Sequence, residues 1–187
     1  MKPLAKAVAA CFALFILLFS LAAGSNPDFT LFKNYLSDLG ARDAPSAVFF
    51  NSALVFGGIG LIVLGVVFFG KRVVPGVLCA ISGIALFLVA LFPEGDSLHK
   101  AVSILFFTIA GLSVLAFTVQ EAKERGARKA VVGAGILQVA LSLLLASTFA
   151  FEKSLAPLFE TLAVASLCAW GVVAAAIPDL RTHQEGP

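Results

Sequence analysis

Apolar and polar positions fall along this chain in long blocks rather than in the short periods of a soluble fold. Six apolar runs stand out, at about residues 7–23, 47–69, 73–92, 101–119, 130–151 and 155–177. Each is close to the roughly 20 residues that a helix needs to cross the hydrocarbon core of a bilayer. In that core a helix satisfies its own backbone hydrogen bonds, which an open strand cannot do. The pattern therefore predicts an all-α membrane protein, a six-transmembrane-helix bundle. The runs leave no room for a soluble domain, so residues 1–187 are expected to form a single integral membrane domain. The first run invites a second reading, because Lys2 and Lys6 precede it and Leu21-Ala-Ala-Gly-Ser25 follows it, as in a signal peptide. Its apolar stretch is long for a signal core, and it is read as the first spanning helix.

The polar blocks between the runs carry their own signals. Residues 25–46 read SNPDFTLFKNYLSDLGARDAPS. Asn26 suits a helix cap, Pro27 the first turn, and Asp28 the positive end of the helix dipole. Phe29, Phe32, Leu36 and Leu39 then recur at helical spacing, and Gly40 is a stop. This predicts a short interfacial helix over about 27–39, with Lys33, Asn34, Ser37 and Asp38 on its polar face.

A second polar block, Leu91-Phe-Pro-Glu-Gly-Asp-Ser-Leu-His99, parts the third run from the fourth. Pro93 and Gly95 stop a helix. Glu94, Asp96 and His99 follow one another closely. A plain turn, with Asp96 or Ser97 capping the next helix, is one account, and one wall of a polar site is the other. His99 and Ser103 stand four apart and share a helix face.

Inside the runs, polar residues are few. Asn51 sits one turn into the second. Gln138 and Ser142 sit one turn apart in the fifth and are expected to face other helices. Glu160 lies a few residues into the sixth, after Ser154 and Pro157. An ionisable residue at such depth is a site candidate. Gly57, Gly58, Gly60 and Gly65 in the second run predict close helix packing.

Composition strengthens the membrane assignment. The chain is 60% hydrophobic and only 13% charged, more apolar surface than a soluble domain of this size could hide. A net charge of +2 is too small to suggest nucleic acid, and membrane lipids are the expected partners. The placing of charge says more than its sum. One side of the spans collects Lys2, Lys6, Lys71, Arg72, Lys123, Arg125, Arg128, Lys129 and Arg181, nine bases against Lys33, Arg42, Lys100 and Lys153 on the other. The positive-inside rule then predicts a multi-pass cell-membrane protein with both termini cytoplasmic. Loops at about 24–46, 93–100 and 152–154 would face outward, and residues 120–129 would be a solvated cytoplasmic loop. Cys11, Cys79 and Cys168 lie in apolar runs without ligand spacing and are read as packing residues.

Candidate chemistry thus gathers at the outer face: Ser37, Asp38, Asn51, Glu94, Asp96, His99, Ser103, Glu152 and Glu160. His99, Glu160 and Asp38 are the candidate reactive groups. Ser37, Asn51, Glu94, Asp96 and Ser103 are candidates for binding. Several carboxylates with one imidazole suit a divalent cation such as calcium or magnesium better than zinc, and no metal is assigned. Ser37 or Ser103 with His99 and an acid could form a nucleophilic set. Phosphate loops, dinucleotide-binding glycines and haem motifs are missing from the sequence.

The Ser37-Asp-Leu-Gly40 motif, Asn51, Phe92-Pro93-Glu94 with His99, and Glu160 at the start of the last of six spans resemble domain of unknown function family 998. The resemblance covers almost the whole chain. It implies a six-helix integral membrane protein without an established activity. The family pattern has an arginine after the last-span acid, where this chain has Thr161. Two functional classes stay open: a pocket at the outer leaflet that binds or processes a lipid headgroup or other amphiphile, and a small transporter or non-catalytic accessory subunit. Whether the chain is an enzyme is left open.

Overall fold

The computed structural model describes residues 3–124, 128–150 and 153–182, with the side chains of 149, 150, 153 and 176–182 left out. Lys2, Arg125 and Glu152 lie outside the described residues. The helices are α1 (Pro3–Gly24), α2 (Ala47–Phe69), α3 (Val73–Leu91), α4 (His99–Lys123), α5 (Lys129–Ala150) and α6 (Ala156–Thr182). Two short 3-10 helices, Leu36–Gly40 and Lys153–Leu155, complete the order. All six α-helices are long and apolar enough to cross a membrane. Every one also leaves large apolar side chains uncovered, among them Leu17, Val66, Ile84, Leu112, Leu143 and Val172. In water such a surface would be untenable, whereas lipid accepts it.

Each helix packs on its neighbour in sequence, and α1 closes the ring against α6. The tightest approach is between α2 and α3. A Cβ on Gly65 would stand 2.7 Å from the Gly76 carbonyl oxygen, and one on Gly83 would stand 2.5 Å from that of Gly58. Only hydrogen fits there, which accounts for Gly58 and Gly65 on α2, while Gly57 and Gly60 face Phe15 and Phe12 of α1. Deeper in the bundle Phe68, Phe117 and Trp170 form an aromatic knot, with ring centroids 4.7 to 6.1 Å apart.

Residues 27–39 do not form the continuous interfacial helix that their apolar spacing suggests. Turns form at 27–28 and 31–33, and only Leu36–Gly40 is helical, of the 3-10 kind. Local side-chain bonds account for the difference. Asn34 Oδ1 accepts the Thr30 N–H at 2.9 Å, and Asp38 Oδ2 accepts the Tyr35 N–H at 2.9 Å. Such bonds offer the backbone an alternative to a helix. Tyr35 is extended, with φ −66° and ψ 150°. The apolar logic survives in part, since Leu36 and Leu39 are buried while Phe32 is exposed.

At the opposite end of the bundle the solvated loop expected over 120–129 is also corrected. Helix α4 continues to Lys123, and Glu121 is fully buried. Arg72, at the turn from α2 to α3, donates to Glu121 Oε2 and, at 2.7 Å, to Glu124 Oε1. Its guanidinium lies 4.2 Å from the centre of the Phe117 ring. A buried guanidinium needs such partners, because an isolated charge is costly away from water.

Candidate functional site

The site is built at the bundle end that carries residues 25–46. Three hydrogen bonds seat the Leu36–Gly40 helix there. Ser46 Oγ donates to the Leu39 carbonyl at 2.8 Å, Asn51 Nδ2 donates to the Gly40 carbonyl at 3.1 Å, and the Leu36 N–H donates to Glu160 Oε2 at 2.7 Å. A Cβ on Gly40 would meet the Phe50 ring at 2.6 Å and Asn51 Oδ1 at 2.8 Å. The Ser37-Asp-Leu-Gly40 motif is thus a lid element pinned to α2 and α6.

Beneath and beside it lies a cavity of about 460 Å³, within the range of small-molecule sites. Its walls bring together Ser37, Glu94, Asp96, His99, Ser103 and Glu160. Asp38 and Asn51 are not in the lining. Asp38 caps the 3-10 helix and Asn51 holds it down, so both position the wall rather than form it. Tyr35, Lys100, Thr108 and Ser142 also line the cavity. The sequence gives no reason to single out Tyr35 or Thr108. Ser142 was legible as inward-facing, although not as a cavity residue.

Gly95 turns the α3–α4 connection with φ +89°, a conformation that suits glycine. This sets Glu94 and Asp96 on the cavity side of the turn. Asp96 Oδ1 accepts the Leu98 N–H at 3.0 Å, while its Oδ2 pairs with Arg42 at 3.0 Å. The block thus turns with an Asp96 bond two residues ahead, α4 has no side-chain cap, and the same residues line the cavity.

His99 is buried at the start of α4. Its Nδ1 stands 2.8 Å from the Phe92 carbonyl oxygen. A carbonyl only accepts, so Nδ1 carries a proton. Nε2 stands 2.9 Å from Glu94 Oε2 and 3.3 Å from Ser103 Oγ. With a second ring proton the contact to Glu94 is an ion pair; without it, Nε2 accepts from Ser103. Glu94 and Ser103 thus compete for one nitrogen. A serine–histidine–acid relay needs the acid on one ring nitrogen and the hydroxyl on the other. These three side chains are not arranged as such a relay, which corrects the nucleophilic reading with Ser103.

No hydrogen bond joins His99 to Glu160 among the described residues, although both line the same cavity. A group of three or more His, Cys, Asp or Glu side chains fit to hold a metal ion is also missing among the described residues. The divalent-cation expectation finds no ligand set here.

Charge in this region is unbalanced. Burial pushes the Asp38 carboxyl above the usual carboxylate range, an effect partly offset by its bond from the Tyr35 N–H. Burial likewise raises the Tyr35 hydroxyl, and the carboxylates of Glu160, Asp38 and Glu94 raise it further. These carboxylates therefore impose a negative potential at Tyr35.

A second, apolar slot of about 60 Å³ runs into the bundle from the same place. Its lining includes Phe15, Leu54, Leu86, Phe106 and Leu167, and it shares Ser37, Ser103, Phe107 and Glu160 with the polar cavity. On the α5–α6 side, Ser142 accepts from Gln138 Nε2 at 3.2 Å, and Ser166 donates to Gln138 Oε1.

Fold and site together define a polytopic, all-helical membrane protein with a polar cavity at one end of its bundle. The chain belongs to the family described as protein of unknown function (DUF998), which matches residues 8–177 and so reaches all six helices. No curated protein and no solved structure matches the chain.

Proposed function

We propose that this protein binds a lipid or other amphiphile at the outer leaflet, headgroup in the polar cavity and chain toward the apolar slot. The observation that carries the reading is the shared wall. Ser37, Ser103, Phe107 and Glu160 border both spaces, so a molecule with a polar and an apolar end finds the two environments side by side. The outward placing rests on the nine bases against four, and it puts both termini in the cytoplasm. The arrangement at His99 favours binding over covalent chemistry, because its ring is already engaged by Phe92, Glu94 and Ser103.

A transport reading draws on one observation. The Ser142–Gln138–Ser166 hydrogen bonds carry polar groups from the cavity wall onward between α5 and α6. An amide bonded to serine hydroxyls in this way also serves simply to hold helices together, and the binding reading uses more of the site.

The test is equilibrium binding of a fluorescent lysolipid to the purified protein in nanodiscs. Saturable, one-to-one binding that Ser142→Trp abolishes in a folded protein supports the pocket. Binding that never saturates, or that Ser142→Trp leaves unchanged, would remove it.

A further inference from the structure

The amphiphile reading leaves the chemistry of the headgroup open, and the charges around the cavity bear on it. Three carboxylates line the cavity, those of Glu94, Asp96 and Glu160, against two basic side chains, His99 and Lys100. Local pairing accounts for two of the three. Glu94 has His99 at 2.9 Å, and Asp96 has Arg42 at 3.0 Å. Glu160 has only the Leu36 backbone N–H, at 2.7 Å, and its second oxygen has no hydrogen-bond partner among the described residues. Lys100 is exposed, so water screens its charge.

Resting on the binding function proposed above, we infer that the headgroup is cationic: a primary amine or quaternary ammonium whose charge is balanced by Glu160 and which lies against the rings of Tyr35 and Phe107. Glu160 sits inside a spanning helix, where a carboxylate without a counter-charge is costly. A ligand ammonium supplies that counter-charge, which no side chain among the described residues provides. Tyr35 and Phe107, both in the lining, present aromatic rings of the kind that attract such cations. The negative potential at Tyr35 acts in the same direction. An anionic headgroup would meet the opposite conditions. It would add charge beside Glu160, and the one buried base in the wall, His99, already serves Phe92 and Glu94.

The test is displacement of the fluorescent lysolipid by probes of equal chain length below their micellar concentrations. Dodecyltrimethylammonium and dodecylamine are compared with dodecyl phosphate and dodecyl maltoside. The ammonium probes should displace at concentrations at least about tenfold lower than the phosphate, and Glu160→Gln should remove most of that preference while sparing the maltoside. Lys100→Glu, at an exposed position that folding tolerates, should sharpen the preference, which keeps the test alive if the Glu160 variant does not fold. Tetramethylammonium, a head without a chain, should compete only weakly. Equal or better displacement by the phosphate would overturn the cationic assignment and leave the pocket standing. Strong competition by tetramethylammonium would overturn the amphiphile instead and make the ligand a free amine. Failure of every probe to displace would overturn both readings.

Discussion

Glu160 on α6 accepts the backbone N–H of Leu36 at 2.7 Å, across 124 residues of chain. The bond ties the last spanning helix to the lid between the first two. It also places the loneliest carboxylate of the cavity at the junction of polar and apolar space. One side chain therefore anchors the lid as an acceptor and, in the function proposed above, is also the charge that faces the ligand. The two can be separated.

Glu160→Ala should lower stability, because truncation leaves the Leu36 N–H without its acceptor, a loss of about 1–3 kcal/mol. Glu160→Gln keeps an acceptor and should stay close to the parent in thermal unfolding in detergent. An alanine variant as stable as the glutamine variant would show that the bond does not hold the lid.

The α2–α3 crossing gives a sharper packing test. At Gly65 an added Cβ would stand 2.7 Å from the Gly76 carbonyl oxygen and 2.9 Å from the Ala80 nitrogen, both backbone atoms that cannot swing aside. Gly65→Ala should therefore cost about 1–3 kcal/mol, the usual penalty of overpacking. Gly111→Ala, where nothing lies within 4 Å, should be neutral or mildly stabilising. Equal unfolding midpoints for the two variants would contradict the close approach.

Arg72 and Glu121 form the other buried polar contact that can be dissected. Arg72→Met removes the cation that Glu121 and Glu124 share and should cost about 3–5 kcal/mol, whereas Glu121→Leu leaves Arg72 its bond to Glu124 and should cost less. The double variant replaces the pair by apolar groups and should recover much of the loss. Arg72→Lys should not restore full stability, since the guanidinium reaches Glu121 and Glu124 together while lying near the Phe117 ring. Additive losses in the double variant would mean that the two side chains do not stabilise one another.

The spans were legible because lipid imposes a length and a composition that a sequence cannot conceal. The polar ends were less so, for a reason visible in particular residues. Asp38 and Glu160 are both acids near the same face, yet one caps a backbone turn and the other lines a cavity. Residue type and depth do not separate those roles, which depend on where Tyr35 and Leu36 direct their N–H groups. The helix expected over 27–39 failed for a similar reason, because apolar spacing does not register the competition from Asn34 and Asp38 side chains. Sequence alone presents Glu121 as solvated, because its neighbours Gln120, Lys123 and Glu124 are polar. Its partner Arg72 is far away in sequence, and only the packing of α4 beside the α2–α3 turn brings the two together.

Asp38 makes the lid sensitive to pH in a direction that can be stated. Its carboxyl titrates above the usual carboxylate range because it is buried, and the Tyr35 N–H only partly offsets this. A raised folded value means that the folded protein holds this proton more tightly than the unfolded chain does. The contribution to stability is therefore fully present below the ordinary aspartate value of about 3.9 and is lost as pH rises through the folded value. Asp38→Asn keeps a side-chain oxygen to accept the Tyr35 N–H but has no proton to lose. Over the mildly acidic range the parent should lose more stability with rising pH than the variant. The variant differs from the parent only in this carboxyl. Thermal midpoints measured at matched ionic strength across that range provide the comparison. Parallel curves would mean that Asp38 titrates alike in the folded and unfolded chain, and its partial burial in the lid would then have no electrostatic consequence.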